Sequence, residues 1–359
     1  MKISRFTWCL VAILALLQST HAADATSSWN TKLLKQKPDW YYGSEARAAA
    51  QTVLLYQSAE GAWPKNHDLL KPPSSAEELA KIQKEKGNTI DNGSTTAPLK
   101  FLALIAEAGG GELYQTAVIK GIDYLLASQY DNGGFPQFYP LRPSGYYSHI
   151  TYNDNAMISA LELLRDVASR RPPFTFVDDL HREKAAQANE KGISCILKTQ
   201  IRENGKLTVW CAQYDEVTLE PAWARKYEPP SLSGSESVGV VRFLMEIEKP
   251  TPEIIASIEA AISWLEAAAI KGVRLETFKN AEGKQDRRVV DDATASPMWA
   301  RFYELKTHRP LFLGRDSVFH NSISEIEYER RNGYSYYGTW PASLLERDYP
   351  RWRSKHGFK

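Results

Sequence analysis

The stretch that decides the fold is "AVIKGIDYLLASQYDNGGFPQ", residues 117–137. Its apolar residues recur at helical spacing, and a loop sequence rich in Asn and Gly follows. The same order returns in "LLYQSAEGAWP" (54–64) and "ILKTQIRENGKLTVW" (196–210), with a weaker fourth copy in residues 256–277. Glycines 72 residues apart mark the same point of three copies: Gly61, Gly133 and Gly205. Because glycine just past a helical pattern is a C-cap signal, the sequence predicts a repeated helix.

A second element follows each of these loops. It opens with Asp, Asn or Ser, which are N-cap residues, and continues with apolar positions at helical spacing. The four segments are 91–109, 153–168, 233–248 and 291–306. Short strands are predicted only near "KLTVWCA" (206–212) and "GVRLETF" (272–278).

The predicted fold is therefore dominated by α-helix and built from repeated helix hairpins, each with an elaborate loop inside it. Closing such hairpins into a ring gives an α/α toroid, an incomplete (α/α) barrel with a few short strands in its loops. Repeats that stack without closing, as in an α-solenoid, are the alternative. No long polar linker interrupts the pattern, so residues 23–359 are predicted to form one domain.

Residues 1–22 have the pattern of a secretory signal peptide, with basic residues, an apolar run and a small-residue end. The apolar run is too short to span a bilayer. Removing Lys2 and Arg5 with this segment leaves 42 basic residues against 43 acidic ones. Such a balance argues against a general nucleic-acid or membrane-surface binder. From the signal-peptide pattern we expect a secreted or periplasmic protein, and we expect it to be a monomer. In an oxidising compartment Cys195 and Cys211 form either a disulfide or two separate buried thiols.

Polar residues open the second helices and are predicted to lie at one end of the repeats. Asp91, Asp154 and the Asp291–Asp292 pair are each explained as N-caps, or together as oxygen ligands of a hard divalent cation. Calcium fits better than zinc, because no nearby set of His and Cys supplies nitrogen or sulfur. Ten Trp, eighteen Tyr and twelve Phe provide the flat surfaces that sugar-binding clefts use.

Basic residues form the positive counterpart: Lys65, Arg225, Lys226, Arg301, Lys306, Arg309 and Arg315. Arginine binds carboxylates with two parallel hydrogen bonds, which supplies geometry as well as charge. Acidic residues with a cation, facing arginines and aromatic rings, suit a sugar polymer that carries carboxylates.

Several of these segments together resemble the pectate lyases of polysaccharide lyase family ten. The resemblance rests on "WPKN", "TIDNGST", "GGFPQFYPLR", "ITYNDNAM", "CAQYDEVTLEPAWARKYEPPSLSGSES", "RFYEL" and "LFLGRDS". The run through "PAWARKYEPPSLSGSES" is specific, and the segments extend from about residue 45 to the C-terminus. The resemblance implies an α/α toroid that cleaves polygalacturonate or oligogalacturonate by β-elimination with the help of Ca²⁺.

The resemblance also implies roles for individual residues. Arg225 is the expected catalytic base, and Asp91 and Asp154 are the expected acidic residues of the calcium site. Arg301 and Arg315 are the expected ligands of substrate carboxylates. Two further substrate contacts are expected: Lys65 and Trp223.

Trp223, Tyr227, Pro229 and Pro230 surround Arg225 in the sequence. This apolar surrounding would desolvate the guanidinium and disfavour its charged form, as a base requires. The alternative is a structural arginine paired with Glu220 or Glu228.

Two positions depart from the family pattern, because Asn155 and Gly93 stand where further acidic residues are expected. Fewer charges would weaken calcium binding. Two other functions stay open at this point: an α/α-toroid glycoside hydrolase acting on uronates, with a carboxylate pair such as Asp154 and Asp291, and a non-catalytic oligogalacturonate-binding protein.

Overall fold

The computed structural model describes residues 32–357, so the predicted signal peptide lies outside the described residues. The helices are α1 (Ser44–Leu55), α2 (Ala76–Lys86), α3 (Thr96–Ile105), α4 (Glu112–Ser128), α5 (Ala156–Ala168), α6 (Asp179–Thr199), α7 (Glu236–Met245), α8 (Pro252–Ala267), α9 (Tyr328–Gly333) and α10 (Tyr349–His356). Within the described range, no helix combines the length and the apolar composition that crossing a bilayer requires.

The strands are short apart from one hairpin. They are β1 (Ile150–Thr151), β2 (Arg202–Glu203), β3 (Lys206–Leu207), β4 (Gln213–Tyr214), β5 (Leu232–Ser233), β6 (Val273–Lys279), β7 (Gln285–Asp291), β8 (Trp299–Ala300), β9 (Phe302–Tyr303), β10 (Phe312–Leu313), β11 (Phe319–His320) and β12 (Tyr337–Gly338). Each pairs with one antiparallel partner, and the β6–β7 hairpin has a continuous seven-residue register.

The described chain divides into two compact units. The first contains the described part of residues 1–127 together with 163–185, and the second contains 128–162 together with the described part of 186–359. The prediction of a single domain and that of an α/α toroid stay predictions.

Three predicted helix hairpins are confirmed as helices: α1 with α3, α4 with α5, and α6 with α7. The first helix of the fourth copy is also confirmed, as α8. Helix α2, inside the first loop, was not predicted from the repeat. Its N-cap is Ser75, whose hydroxyl oxygen accepts a hydrogen bond from the backbone N of Glu78 and so satisfies an N-terminal donor.

The predicted helix at 291–306 is wrong, because this segment is a loop that holds β8 and β9. The indole of Trp299 donates to the carbonyl of Leu265, as that of Trp210 donates to Ile196 and that of Trp63 to Val53. Trp299 is therefore equivalent to Trp63 and Trp210, which lie in the loops of earlier copies, and not to a helical residue. Its apolar neighbours are buried by strand pairing, and this tertiary environment overrides their helical spacing.

The repeated glycines are not C-caps, since α1 ends at Leu55 and α4 at Ser128. Two of them, Gly61 and Gly133, allow a loop to touch the first helix of the next copy. Gly133 has φ +93°, and a Cβ there would lie 2.0 Å from the carbonyl oxygen of Lys191 in α6. Gly61 makes the same approach to Lys120 in α4, at 2.2 Å. A side chain would therefore force adjacent copies apart.

A repeated glutamine secures the same contact. Gln57 donates to the carbonyl of Ala117, Gln129 to that of Ala188 and Gln200 to that of Ser257, at 2.8 to 2.9 Å. Each amide also binds a carbonyl of its own loop, so one side chain satisfies backbone oxygens of two copies.

Cys195 and Cys211 are both buried free thiols in the structure. Burial raises the pKa of the Cys195 thiol to about 11, so it is protonated at neutral pH and unreactive.

We predict that Gly133→Ala destabilises the protein far more than Gly205→Ala. Gly205 also has a positive φ, +78°, but a Cβ there meets nothing within 4 Å. Gly205→Ala therefore isolates the backbone strain, about 1 to 2 kcal/mol. Gly133→Ala adds a backbone clash, for which we expect at least about 2 kcal/mol more.

Urea unfolding of both variants measures the difference. Equal losses of unfolding free energy would show that the approach of the loop to Lys191 does not constrain the fold.

Candidate active site

Arg225 lies at the start of a tight turn in the second unit. The backbone N of Glu228 donates to the carbonyl of Arg225 at 2.8 Å, and the N of Ala224 donates to the carbonyl of Glu228 at 3.1 Å. The turn brings the side chains of residues 225 and 228 to the same side. Their pairing is therefore fixed by local backbone geometry.

The guanidinium of Arg225 forms a two-pronged ion pair with Glu228. Its Nε donates to Oε2 at 2.8 Å, and its Nη2 donates to Oε1. Glu228 is buried, whereas the Arg225 side chain is 42% exposed. The hydroxyl of Tyr334 donates to the same carboxylate at 2.9 Å. Of the two partners considered from the sequence, the structure has Glu228.

Two opposing effects set the charge of this pair. Burial lowers the pKa of the Arg225 guanidinium, but the Glu228 carboxylate raises it, and the net pKa lies above the ordinary arginine value. Burial likewise raises the pKa of Glu228, whereas Arg225 lowers it, and the net pKa lies below the ordinary value. The expected desolvation is present, but Glu228 outweighs it, so Arg225 carries its positive charge.

Arg301 lies between β8 and β9 in the chain, and backbone hydrogen bonds to two other segments fix its position. Its N donates to the carbonyl of Tyr336 at 2.7 Å, and its own carbonyl accepts from the N of Gly234 at 3.1 Å. A Cβ on Gly234 would lie 2.3 Å from the carbonyl oxygen of Ala300. Only glycine therefore lets the "SGSES" segment approach Arg301 this closely.

The Arg301 side chain joins two carboxylates. Its Nη2 lies 2.5 Å from Oε1 of the buried Glu236 and 3.3 Å from Oδ1 of Asp154, and its Nε also donates to Glu236. Burial lowers the pKa of Arg301, but the Glu236 charge raises it, and the net pKa lies above the ordinary value. Arg301 is thus a permanent cation beside a predicted calcium ligand.

The guanidinium groups of the arginines predicted from the sequence lie close to two tyrosine rings. The guanidinium carbon of Arg225 is 5.0 Å from the Tyr227 ring centroid, and that of Arg315 is 5.8 Å from it. The guanidinium carbon of Arg301 is 5.1 Å from the Tyr334 centroid. A fourth guanidinium lies against both rings. We call these four residues the arginine cluster: Arg225, Arg301, Arg315 and Arg330. Such cation–π contacts stabilise desolvated cations.

Arg315 and Trp223 form the exposed side of this region. Arg315 donates to both oxygens of Glu329, at 2.9 and 3.1 Å, and its pKa is raised by that hydrogen-bonded carboxylate. Trp223 meets Phe319 edge to face at 6.2 Å, and both rings are exposed. Exposed aromatic rings beside arginines are a suitable surface for sugar rings.

Asp154 occupies a left-handed backbone conformation, φ +51°, in the 3₁₀ turn Asn153–Asn155 before α5. Asn153 donates to its Oδ2 at 2.7 Å, which leaves both oxygens oriented by hydrogen bonds. The side chain of Asn155 instead contacts α7 at Gly239, where a Cβ would lie 1.9 Å from Oδ1 of Asn155. Asn155 therefore packs against a helix.

Lys65 and Asp91 belong to the first unit. The Nζ of Lys65 lies 2.7 Å from Oδ2 of the buried Asp91. The other oxygen, Oδ1, is buried and accepts no hydrogen bond from residues 32–357. The surrounding "TIDNGST" turn has a left-handed Asn92, φ +52°, at the position equivalent to Asp154.

Each of the two predicted calcium ligands suits a hard cation. Asp91 offers an unsatisfied buried carboxylate oxygen, and Asp154 offers a partly exposed carboxylate. Among the described residues, three possible ligand side chains converge only at His149, Asp215 and Glu216. That group contains neither predicted ligand, and Glu216 already accepts from His149 at 3.0 Å. Calcium at Asp91 and Asp154 thus stays a prediction.

The sequence did not identify three residues that organise the site: Glu236, Tyr334 and Arg330. Glu236 lies within the specific "SGSES" run, and Ser233 donates to it and accepts from its backbone N. A glutamate as the first residue of a helix is ordinarily explained by the helix dipole, so nothing singled it out. Tyr334 and Arg330 had no sequence signal.

We predict that Glu236→Gln destabilises the fold by about 3 to 5 kcal/mol, because Arg301 then becomes a buried cation without a full counter-charge. The matched control is Glu329→Gln, which removes the exposed partner of Arg315. It should cost far less, because water screens an exposed ion pair. Chemical denaturation compares the two. Similar small losses for both would show that the Arg301–Glu236 pair does not hold the site together.

Comparison with known proteins identifies the family. The family model described as pectic acid lyase matches residues 57–345. Among curated proteins, none matches the chain.

Two solved structures are similar over nearly the whole chain. A family 10 polysaccharide lyase from Cellvibrio cellulosa is 36% identical, with a TM-score of 0.74, covering 96% of this chain and 98% of that one. A point mutant of the family 10 lyase from the same organism, in complex with trigalacturonic acid, is 36% identical with a TM-score of 0.73, covering 92% and 97%. The chain therefore belongs to the pectic acid lyase family and is a polysaccharide lyase of family ten.

Proposed function

We propose that this lyase cleaves α-1,4-linked polygalacturonate by calcium-assisted β-elimination, with Arg225 as the base that takes the C5 proton. The observation that carries the proposal is the arginine cluster around Tyr227 and Tyr334 in a chain of this family. The solved structure of a mutant of a related family-ten lyase is a complex with trigalacturonic acid, which supports an oligogalacturonate as the substrate.

The main obstacle of the reaction is charge that develops on the substrate. Elimination breaks the C5–H bond next to the carboxylate, forms the C4–C5 double bond and expels the C4 oxygen. As the proton leaves, the carboxylate takes on enediolate character. Arg301 and Arg315 each hold a carboxylate of the chain through Nε and Nη2. The Nη1 of each has no hydrogen bond among the described residues and can donate to a substrate carboxylate. Fixed cations aimed at developing charge are usually the largest catalytic contribution.

Arg225 has one terminal nitrogen available for the substrate. Its Nε and Nη2 are held by Glu228, and Nη1 has no hydrogen bond among the described residues. In the neutral guanidine, a nitrogen in this position can accept the C5 proton. Glu228 thus orients the base, although it also favours the charged form. The positive charges of Arg301, of Arg330 and of a cation bound with the substrate act in the opposite direction: they favour the neutral form of Arg225.

A bound calcium ion would acidify the C5–H bond by withdrawing electrons from the uronate carboxylate. Two carboxylates are each proposed as a calcium ligand: Asp154 in the second unit and Asp91 in the first, whose Oδ1 has no hydrogen bond within the described chain. Lys65 and Trp223 are proposed as further substrate contacts. Substrate carboxylates and water would complete the six to eight oxygen ligands that calcium takes.

We further propose that the protein is an exported monomer with an α/α toroid fold. The signal-peptide pattern of residues 1–22 supports export to the periplasm or the medium. The regular alternation of helix and loop, with glutamine and glycine contacts repeated from copy to copy, supports the toroid.

We predict that Arg225→Ala lowers kcat by about 10² to 10⁴, the usual contribution of a general base. The measurement is ultraviolet absorbance of the unsaturated product from polygalacturonate, with calcium and with a chelator. Arg288→Ala is the matched control, since Arg288 is an exposed arginine paired with Glu276 outside the cluster. It should retain full activity.

Other outcomes identify the rival functions. New reducing ends without ultraviolet absorbance would indicate hydrolysis. Binding of oligogalacturonate without turnover would indicate a binding protein. Activity that survives the chelator would exclude the calcium role.

We also predict that kcat/KM rises with pH above neutral pH. The pKa of Arg225 is raised, so only a small fraction is neutral at neutral pH, and that fraction grows about tenfold for each pH unit below the pKa. A pH–rate profile should therefore have a slope near one until another group titrates or the fold is lost. A flat profile between about pH 7 and 10 would contradict the base assignment.

A further inference from the structure

Arg330 is a buried cation with few polar partners. It lies in α9 with 5% of its surface exposed, and its Nε and Nη2 are buried without a hydrogen-bond partner among the described residues. The nearest carboxylate is Glu329, whose Oε1 is 3.7 Å from Nη1 of Arg330 and already accepts from Arg315. A fully buried charge is costly unless it is paired and hydrogen-bonded, so this arrangement calls for a compensating role.

The main contacts of Arg330 are with the two rings that organise the arginine cluster. Its guanidinium carbon is 3.9 Å from the Tyr227 centroid and 4.6 Å from the Tyr334 centroid, closer to each ring than any other arginine of the cluster. Tyr227 and Tyr334 also meet each other edge to face at 5.7 Å. Arg330 therefore fixes the positions of both rings.

The same rings connect Arg330 to the proposed base. Tyr334 donates to Oε1 of Glu228, the oxygen that Nη2 of Arg225 binds. The Arg225 guanidinium lies 5.0 and 5.8 Å from the Tyr227 and Tyr334 centroids. A shift of either ring would thus alter the angle at which Glu228 holds Arg225.

We propose that Arg330 is a positioning residue for Arg225, acting through Tyr227 and Tyr334 and supplying an incompletely paired positive charge beside the base. The inference rests on the proposed function of Arg225. A like charge in a buried site disfavours the protonated form of a neighbouring cation, which is the direction a base requires. The charged and titratable groups around the two rings are Arg225, Arg301, Arg315, Glu228, Glu236, Glu327, Glu329, Tyr334 and Tyr336.

The neighbouring Arg331 shows what a purely structural arginine looks like here. It donates to both oxygens of Asp286 at 2.6 Å and to the carbonyl of Ile326 at 2.7 Å. Its donors are satisfied, and its closest aromatic contact is with Tyr328, outside the arginine cluster. Arg331 lies in the same helix and provides a matched comparison.

The experiment compares Arg330→Met, Arg330→Lys and Arg331→Met for kcat, KM and Tm on polygalacturonate with calcium. We expect Arg330→Met to lower kcat at least tenfold with KM within about twofold of wild type. Arg330→Lys should recover part of that loss, since it keeps the charge. Arg331→Met should lower Tm at least as much as Arg330→Met does, because it leaves Asp286 without its arginine partner. Its kcat per folded molecule should stay within twofold of wild type.

Two outcomes overturn the inference. One is a wild-type kcat in Arg330→Met. The other is an equal loss of kcat in Arg331→Met after correction for the folded fraction, measured by circular dichroism. If Arg330→Met does not fold, Arg330→Lys decides: we then expect a kcat below wild type with an unchanged KM, and a wild-type kcat refutes the inference.

A failure of the proposed function can be distinguished from a failure of the positioning role. If wild-type protein gives no unsaturated product, or if Arg225→Ala is fully active, the assignment of the base is wrong whatever Arg330 does. If Arg225→Ala is inactive and Arg330→Met is not impaired, only the positioning role is wrong.

Discussion

The site depends on the ion pair between Arg225 and Glu228. Burial would by itself favour neutral forms of both groups, and their mutual attraction reverses this for each. The pair holds one edge of the guanidinium, and Nη1 has no hydrogen bond among the described residues. The same contact that aims the proposed base also opposes its deprotonation. Catalysis by Arg225 therefore requires positive charge in its surroundings, which the arginine cluster supplies.

Aromatic rings allow several cations to share a small volume. Like charges at this separation repel, and four carboxylates of the described chain form ion pairs with the four guanidinium groups and offset part of this repulsion: Asp154, Glu228, Glu236 and Glu329. Tyr227 and Tyr334 present ring faces that attract cations without cancelling their charge. The rings thereby let four guanidinium groups lie together in a small volume, which suits a substrate that carries carboxylates.

The sequence predicted much of this, for identifiable reasons. Helices α1 and α3 to α8 follow from apolar periodicity, and the family from contiguous motifs around Arg225. The error at 291–306 arose because "WARFYELKTHRP" has the spacing of a helix, although it repeats the Trp, Tyr and Pro positions of "WCAQYDEVTLEP". Bridges of Tyr214 with Pro221 and of Tyr303 with Pro310 show the equivalence. The partners of Arg301 and the tyrosine that binds Glu228 come from distant segments, which local patterns do not connect.

The most direct test of the account is chemical rescue of Arg225→Ala by small amines and guanidines of differing pKa. If Arg225 removes the C5 proton, the rescued rate should follow the concentration of the neutral form of the added base, and rise with pH accordingly. If the rate instead follows the total concentration of added cation and is independent of its protonation state, Arg225 acts only as a positive charge, and the assignment of the base is contradicted.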